Sequence, residues 1–416
     1  MKILFLEHLF PLPADSGGKI KSLCMIRALA AEHDVRLLSY VRNEAEQASV
    51  AHLSEICREV EAVPFERSRL ADLRHAASSV LFGRSFIVTR DFRRQVLDRF
   101  RLAVREFEPD VVHIDHLQMA QFVGFDGGYR TVLDQHNVES MIVRRIAETS
   151  GSPLMRAYAR LEWPKLLDYE LGICRKADLV LTVSDEDASA LRRFDSSLDN
   201  IESVPIGVDI GSTPVVERDT GSRDILFLGT MHWPPNIDCV LYFHREILPI
   251  VRKELQDCSF TIAGRRPPRA IERLARDSAD LPLAPSWRRG EGGGAVRVVG
   301  YVSDSRELAA GCGVFVVPLR SGSGVRVKIL NAMAMGLPVV STSIGAEGLA
   351  ARHGEHLLIA DSPHDFARAV VDVLTDPSLG RELGQKGREL VEGEYTWDVV
   401  GRRLLALYDT HLADRA

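Results

Sequence analysis

Three basic side chains surround a glycine-serine loop in the last third of the chain. Arg320 precedes residues 321–324, and Arg326 and Lys328 follow them. In a chain of net charge −6, this local positive charge favours an anion, and a phosphate or diphosphate would suit it. The glycines let the backbone approach such a ligand closely. Taken alone, they would serve an ordinary turn equally well.

The residues on either side of this loop predict the elements that position it. Residues 314–319 form a β-branched apolar run typical of a buried strand, and residues 325–335 carry apolar side chains at helical spacing. Residues 338–342 predict the next strand. The helix N-terminus would add unpaired N–H groups and a positive dipole end to the anion site. Lys328, which we expect to be exposed, and Asn331 would share one face of this helix.

As a unit, the sequence PLRSGSGVRVKILNAMAMGLPVVST resembles the donor-binding signature of the retaining glycosyltransferases of family 4, which have the GT-B fold. In that family a Glu-x7-Glu pair precedes Ala-Met-Ala and a Gly-x-Pro-Val-Val strand. Alignment on residues 332–334 puts Ser323 at the first glutamate and Asn331 at the second. The resemblance therefore implies that Ser323 lies at the donor sugar and that Asn331 accepts a ribose hydroxyl through its amide oxygen. A branch of the family associated with exopolysaccharide loci also has a small residue at the first position.

The N-terminus predicts a second strand, loop and helix. Residues 2–6 form a buried-strand pattern, residues 11–18 a loop rich in proline and glycine, and residues 19–32 a helix. This order opens a doubly wound α/β domain. We expect Gly17 and Gly18 to lie nearest the ligand, because in the resembling family a Gly-Gly here lies beside the donor diphosphate and the acceptor. A turn that only requires positive φ is the alternative.

Polar residues follow two further predicted strands of this domain. One strand ends at His113 and Asp115, with His116 next, and ligands of open α/β sheets bind at such carboxyl ends. These residues are candidates for acceptor contacts, although each histidine could also pack internally. The sequence DQHNVES is similar to the family loop whose histidine faces the donor sugar, which implies that role for His136. A neutral imidazole can hydrogen-bond a sugar hydroxyl.

In the second half of the chain the resemblance implies further donor contacts. The family binds the diphosphate after a strand that here ends at residue 228, where Thr230 and His232 stand without a cation. Arg265 and Arg266, after the following strand, would supply the charge, unless they are solvated loop cations. The other implied nucleotide-binding groups are Tyr301 in the loop that holds the base, the backbone amides of Gly324 and Val325, and Glu347.

The composition is that of a globular protein, with 45% hydrophobic and 26% charged residues. A chain of 416 residues is too long for one ordinary core and predicts two domains. No run approaches the roughly 18 apolar residues of a membrane span, and the N-terminus is more typical of a strand than of a signal peptide. Six cysteines without metal-like spacing predict free thiols in the cytoplasm. The lack of a long basic block argues against a nucleic-acid partner.

The patterns and the resemblance together predict an α/β protein of the GT-B fold, with two Rossmann-like doubly wound domains facing a central cleft. Residues 1–210 would form the N-terminal acceptor-binding domain and residues 211–390 the C-terminal nucleotide-sugar-binding domain. The boundary follows VPIGVD, which resembles the family's hinge, and residues 391–416 would form a helix that packs back on the first domain. Residues 154–175 predict a long amphipathic helix that Pro164 should interrupt.

The expected function is retaining transfer of a sugar from a nucleoside diphosphate sugar, with UDP or GDP as the nucleotide, to an acceptor in the interdomain cleft. His136, Lys328 and Arg326 would be the catalytic residues, the two cations acting on the departing diphosphate. No metal or other cofactor is expected, because the cations and the helix dipole would take its place. The acceptor could be a small molecule, a lipid-linked molecule or a saccharide. Its attacking atom and the oligomeric state stay open.

Two alternatives remain open. A sugar-nucleotide epimerase has the same fold and would release an epimerised sugar nucleotide without any acceptor. A non-catalytic nucleotide-binding partner protein would bind nucleotide without transferring or hydrolysing the donor. A nicotinamide enzyme is disfavoured, because neither domain opens with a Gly-x-Gly-x-x-Gly turn.

Overall fold

The chain folds into two compact α/β units. The computed structural model describes residues 1–231, 233–277, 295–321 and 324–412. The units are Met1–Gly207 together with Trp397–Ala416, and Val208–Thr396. The second unit extends past the limit predicted at residue 390, because the Val208 N–H donates to the Tyr395 carbonyl at 2.6 Å.

Each unit is built on one parallel sheet. The strands of the first sheet are β1 (Lys2–Glu7), β2 (Asp34–Val41), β3 (Glu59–Pro64), β4 (Val111–Asp115), β5 (Arg130–Asp134), β6 (Leu179–Thr182) and β7 (Ile201–Ser203). Those of the second are β8 (Asp224–Leu228), β9 (Ser259–Ala263), β10 (Val296–Gly300), β11 (Val314–Val317), β12 (Val339–Ser341) and β13 (Leu358–Ile359). The strand orders are β3-β2-β1-β4-β5-β6-β7 and β10-β9-β8-β11-β12-β13. Both orders reverse direction beside the first strand of the unit, which is where doubly wound folds bind ligands.

Helices connect the strands of both sheets. In chain order they are α1 (Gly17–Glu32), α2 (Glu44–Ala48), α3 (Val50–Ser54), α4 (Arg69–Phe82), α5 (Phe86–Thr89), α6 (Arg94–Phe107), α7 (Glu139–Thr149), α8 (Pro153–Cys174), α9 (Asp185–Phe194), α10 (Pro234–Tyr242), α11 (Leu248–Glu254), α12 (Arg269–Asp277), α13 (Arg306–Ala310), α14 (Val327–Ala334), α15 (Ser343–Ala346), α16 (Pro363–Thr375), α17 (Pro377–Glu394) and α18 (Trp397–Leu412). A 3₁₀ segment spans Leu117–Phe122 and a π segment Phe243–Ile247. None of the described helices is both long enough and apolar enough to cross a bilayer.

The register of three central strands places polar side chains in one row. Glu7 at the end of β1 is paired with Asp115 at the end of β4, and Asp115 is paired in turn with Asp134 at the end of β5. Most of the other residues of these strands are buried and apolar, as expected for a parallel sheet covered on both faces. The row therefore ends the apolar core and begins the polar edge where a ligand would bind.

Helix α18 packs within the first unit, as predicted for the C-terminal segment. The Tyr408 hydroxyl forms a hydrogen bond of 2.6 Å with His113 Nδ1, and the His113 ring stacks on Phe5 at 4.2 Å. Both His113 and Tyr408 are fully buried. His113 therefore anchors the last helix and is not available for the acceptor contact considered above.

Helix α8 passes through Pro164 without a break, so the predicted interruption is wrong. Glu162 accepts hydrogen bonds from the Ser85 hydroxyl at 2.6 Å and the Ile87 N–H at 3.1 Å, and Lys165 donates to the Ser79 carbonyl at 3.0 Å. These contacts hold the helix on both sides of the proline and offset the backbone hydrogen bond that proline removes.

The loops after β8 and β9 touch each other through their backbones, which generates a stability prediction. A Cβ built on Gly264 would lie 1.7 Å from the Gly229 carbonyl oxygen. We therefore expect Gly264→Ala to destabilise the second unit by about 1–3 kcal/mol, as overpacking does. The matched control is Gly393→Ala in α17, where a Cβ meets nothing within 4 Å and alanine favours the helix. Urea unfolding followed by circular dichroism compares the variants, and equal midpoints would contradict the prediction.

Candidate active site

A cluster of buried ionisable groups lies at the carboxyl ends of β1, β4 and β5. Glu7, Asp115 and Asp134 are all fully buried. From α1, Lys21 forms a salt bridge with Asp134, and the Ser22 hydroxyl donates to Asp115 Oδ2 at 3.1 Å. Buried charge requires such partners, because burial without them is strongly unfavourable. The cluster is therefore fixed by the sheet on one side and by α1 on the other.

Asp115 holds two histidines. His136 Nε2 donates to Asp115 Oδ1 at 2.8 Å, and His116 Nδ1 donates to Asp115 Oδ2 at 2.6 Å. The two imidazole rings stack with their centroids 3.9 Å apart. Donation through Nε2 leaves Nδ1 of a neutral His136 as an acceptor, and this buried atom has no hydrogen-bond partner among the described residues.

The first turn of α1 lies against these rings. A Cβ built on Gly18 would lie 3.3 Å from His136 Nδ1 and 3.9 Å from His116 Nε2. Helix α1 begins at Gly17, so Gly17 and Gly18 form its N-terminus and do not merely precede it. The structure thus brings together Gly17, Gly18 and His136 with His116, which was a candidate for acceptor contacts.

The protonation states of this cluster follow from burial and mutual attraction. Burial lowers the pKa of His136 to about 4, although Asp115 opposes the shift. Burial would also lower the pKa of His116, but the attraction of Asp115 outweighs it and the pKa is raised. Burial, together with the charge of Asp115, raises the pKa of Glu7 well above its usual value. Near neutral pH, His136 is therefore a neutral acceptor beside a more basic His116.

His8 was missed by the sequence reasoning. It follows β1, its Nε2 donates to Asp91 Oδ2 at 3.2 Å, and its ring centroid lies 5.6 Å from that of His116. The signal was present, since His8, His116 and His136 each follow the carboxyl end of a central strand. Glu7 and Lys21 were missed as well, because their place depends on the strand register and on α1.

Three groups of the cluster lie close enough together to be considered as metal ligands. Ligand atoms of Asp115, His116 and His136 lie within 4.8 Å of one another. In the structure, each histidine donates one hydrogen bond to the Asp115 carboxylate, so these contacts form without an ion. Metal-independent action stays a prediction.

In the second unit, Lys328 lies in the first turn of α14 and is half-buried, so the expectation that it is exposed is wrong. Its Nζ donates to Asn236 Oδ1 at 2.7 Å and lies 4.3 Å from the centroid of the Phe227 ring. A Cβ on Gly229 would lie 2.7 Å from Nζ, so the glycine leaves room for the ammonium. Burial is the main reason that the pKa of Lys328 is lowered, to about 8, and Arg326 adds to the effect.

The other two predicted cations of this loop are already engaged. Arg326 is buried and donates a hydrogen bond to the Gly324 carbonyl, so it shapes its own loop. Arg320 forms hydrogen bonds of 3.0 and 2.5 Å with Asp238 and lies over the Tyr242 ring. Gly324 has φ of 78°, the left-handed region that favours glycine. Val325 is buried beside it.

The remaining predicted residues follow neighbouring strands of the second sheet or lie nearby. Thr230 follows β8 and is exposed, and its carbonyl accepts from Asn236 Nδ2 at 2.9 Å. Arg265 follows β9 and Tyr301 follows β10; the guanidinium lies 4.5 Å from the ring centroid and donates to the hydroxyl at 3.2 Å. Asn331 on α14 and Glu347 after α15 are half-buried. Ser323 and His232 lie outside the described residues.

Comparison with known proteins agrees with this architecture. The model of "Glycosyltransferase Family 4" matches residues 23–212, and that of "Glycosyl transferases group 1" matches residues 222–376. An uncharacterised 44.6 kDa protein in the cps region of Klebsiella pneumoniae is 24% identical over 404 residues, covering 95% of this chain and 96% of that protein. A phosphatidyl-myo-inositol mannosyltransferase of Mycobacterium leprae is 28% identical over 218 residues, which are 50% of this chain and 53% of that protein.

Among solved structures, HepE from Anabaena in complex with UDP has the same fold. Its TM-score is 0.68 at 13% identity, covering 99% of this chain and 100% of that one. The two family models match consecutive parts of the chain, one on each unit, and the fold comparison spans both. The chain is therefore a glycosyltransferase of the family 4 type with the two-domain, Rossmann-like GT-B fold.

Proposed function

We propose that this glycosyltransferase takes its sugar from a nucleoside diphosphate sugar with retention of configuration and without a metal ion. The observation that carries the proposal is the environment of Lys328. Its ammonium is held by the neutral amide of Asn236 and forms no ion pair with any residue that the structure describes. A half-buried cation without a counter-ion is a binding site for an anion, and the diphosphate of the donor would supply the missing charge.

The groups around Lys328 would act on the leaving diphosphate. The first turn of α14 adds its dipole, and the backbone amides at Gly324 and Val325 are candidates for direct donation to the phosphates. Arg265, on the loop after β9, is the second candidate cation. Stabilising charge as it develops on a leaving group often contributes more to catalysis than any other single effect. Arg326 would support this site through its loop, since its own guanidinium donates to Gly324.

The first unit would bind the sugar and the acceptor through the histidine pair. The lowered pKa of His136 keeps its imidazole neutral near pH 7, so Nδ1 can accept a hydrogen bond from a sugar hydroxyl. Gly18 leaves space above the rings for a ligand to approach. Asp115 would fix the tautomer of His136 and the orientation of both rings.

The choice of nucleotide is tested by thermal unfolding with UDP, GDP, ADP and TDP. A ligand that binds only the folded state raises its stability by mass action. We expect UDP or GDP to give the largest shift; HepE was crystallised with UDP. Transfer assays with the corresponding sugar nucleotides then follow, and no shift with any of the four would contradict the proposal.

Lys328→Met should lower turnover by about tenfold to a thousandfold, the loss that follows removal of one charge-stabilising donor. Methionine keeps an apolar side chain over Phe227, so the variant should fold. Lys253→Met, at an exposed position of α11, is the matched control and should be as active as the wild type. Steady-state donor turnover measures both. Wild-type turnover in a folded Lys328→Met variant would remove Lys328 from the mechanism.

The affinity for the nucleoside diphosphate should depend on pH through the same residue. The pKa of Lys328 is lowered to about 8, so the empty protein loses this positive charge as the pH rises through that value. The Kd should rise by about tenfold between pH 7 and pH 9, as for one ionisation that binding requires. Calorimetric titration measures it. Lys328→Met should bind more weakly and without this pH dependence, and a flat wild-type profile would contradict the assignment.

His136→Ala should impair transfer while leaving the Kd of the bare nucleoside diphosphate nearly unchanged. The reason is that His136 lies in the first unit and is proposed to contact the sugar, whereas Lys328 of the second unit is proposed to bind the diphosphate. Turnover and calorimetric titration give the two quantities. Equal losses in both would mean that His136 has a structural role.

Asn331→Glu should tighten nucleotide binding by about two- to thirtyfold, if residue 331 contacts the ribose. A hydrogen bond to a charged group is worth roughly 1.5–3 kcal/mol against about 1 for a neutral one. A new carboxylate one turn from Lys328 opposes this gain by pairing with the ammonium, but we expect the ribose contact to dominate. Titration of Asn331→Glu and Asn331→Ala decides. If alanine binds as well as asparagine and glutamate binds no better, residue 331 does not touch the ribose.

A further inference from the structure

The first half of α8 exposes an apolar stripe. Leu154, Tyr158 and Leu161 stand at i, i+4 and i+7, on one face of the helix. Leu154 is 84% and Leu161 69% exposed, and Met155 beside them is exposed as well. A helix of a globular protein ordinarily buries such a stripe against its core, so this face is available to a partner.

A second set of exposed apolar side chains lies on α4. Leu70 is 73% and Phe82 72% exposed, and Leu73 is similarly exposed. The two helices are joined, because Lys165 of α8 donates to both the carbonyl and the hydroxyl of Ser79 on α4, at 3.0 and 3.2 Å. The exposed side chains of α4 and α8 therefore belong to one region of the first unit, which we call the α4–α8 surface.

A cavity of about 590 Å³ opens between these helices. The stripe leads towards the cavity along one face of α8. Lys165 is four residues after Leu161 and Tyr169 four residues after Lys165, and both line the cavity. Val88 and Phe92 give the cavity an apolar wall. The other lining residues are His75, Gly83, Arg84, Ser85, Thr89, Gln121 and Asp168. The cavity thus combines an apolar wall with a polar part in which Arg84 and Lys165 outnumber the one carboxylate, Asp168.

The charge of the α4–α8 surface is positive although the whole chain is negative. Residues 150–161 contain Arg156 and Arg160 and no acidic residue. Arg74 on α4 and Arg84 after it add two more, and none of these four arginines forms an ion pair with a residue that the structure describes.

The acidic groups of this surface do not cancel that charge. They are Glu66, Asp72, Glu162 and Asp168; Asp72 lies 3.5 Å from Arg67, and Glu162 is buried and already accepts two hydrogen bonds. The α4–α8 surface therefore offers unpaired guanidinium groups around exposed leucine, phenylalanine and tyrosine side chains.

We propose that the α4–α8 surface docks on an anionic lipid bilayer. Apolar side chains of α4 and α8 enter the boundary between headgroups and acyl chains, the arginines pair with lipid phosphates, and the cavity admits one lipid chain. Basic amphipathic surfaces bind membranes in this way. A second copy of the chain is a poorer occupant, because a two-fold contact would bring the arginine-rich surface against itself.

The test uses the full chain and needs no donor or acceptor, so its result is independent of the proposed chemistry. Co-sedimentation is measured with vesicles of phosphatidylcholine alone and of phosphatidylcholine mixed with phosphatidylglycerol. We expect binding to the anionic vesicles only, weakening as salt is raised. Arg156→Glu with Arg160→Glu should lower the partition coefficient by about thirtyfold or more. Leu154→Ser with Leu161→Ser should also lower it, and all four positions tolerate change because their side chains point to solvent or lie at its edge.

Matched controls carry the same changes elsewhere. Arg402→Glu with Arg403→Glu places the same charge change on exposed positions of α18, and Val215→Ser removes an exposed apolar side chain from the second unit. Both should bind like the wild type. Three outcomes would overturn the proposal: all variants bind equally, the protein binds neutral vesicles as well as anionic ones, or it binds no vesicles. So would a dimer in analytical ultracentrifugation that Leu154→Ser with Leu161→Ser abolishes, since that result would assign the surface to a second copy.

Discussion

The carboxylate of Asp115 is the group on which the polar centre of the first unit depends. Its pKa is held well below the usual value, because the two histidines outweigh a burial that alone would raise it. The strand register fixes the position of Asp115 between Glu7 and Asp134 on the neighbouring strands. Neither histidine can turn away without leaving a buried charge short of a partner, which is strongly unfavourable. The sheet and Asp115 thus hold His136 Nδ1 in position, so the acceptor would be fixed before any ligand bound.

Three carboxyl groups can be buried in one row because a different interaction offsets the cost of burying each one. Lys21 lowers the pKa of Asp134 to about 2, although burial alone would raise it. The negative charge of Asp115 is stabilised by hydrogen bonds from both histidines. The raised pKa of Glu7 favours its neutral form. The second unit presents the opposite case, a single ammonium that a neutral amide holds in place. The two units therefore offer complementary chemistry, a neutral acceptor for hydroxyls in one and a cation for an anion in the other.

Local sequence was sufficient to predict the elements that carry the site. The run of residues 314–342 predicted β11, α14 and β12 within a few residues, because strand pattern, glycine turn and helical spacing are properties of adjacent residues. The environment of Lys328 could not be predicted in this way. Its partner Asn236 lies 92 residues earlier in the chain, and only the packing of α10 against the sheet brings them together.

The same limit explains the other differences. Arg326 was predicted to act on the diphosphate, but its guanidinium donates to the Gly324 carbonyl. Pro164 has the right chemistry to interrupt a helix, but Glu162 and Lys165 fix α8 to α4 and α5 on either side of it. His8 follows the carboxyl end of a strand, as His116 does, and the strand order that places β1 beside β4 brings the two together. In each case the residue type indicates the right chemistry, and a contact distant in sequence decides its role.

The absence of the family's second glutamate has a physical consequence in this arrangement. A carboxylate at position 331 would lie one turn from Lys328 and would pair with it in the empty protein. With Asn331 there, the half-buried ammonium contacts the amide of Asn236 and the Phe227 ring, and burial lowers its pKa to about 8. In the proposed role of Lys328, the ammonium would keep its attraction for an incoming diphosphate, because no neighbouring carboxylate would have to be displaced first. If residue 331 contacts the ribose and Lys328 the diphosphate, as proposed, the chain has lost a charged ribose contact but keeps an ammonium that no carboxylate of α14 neutralises.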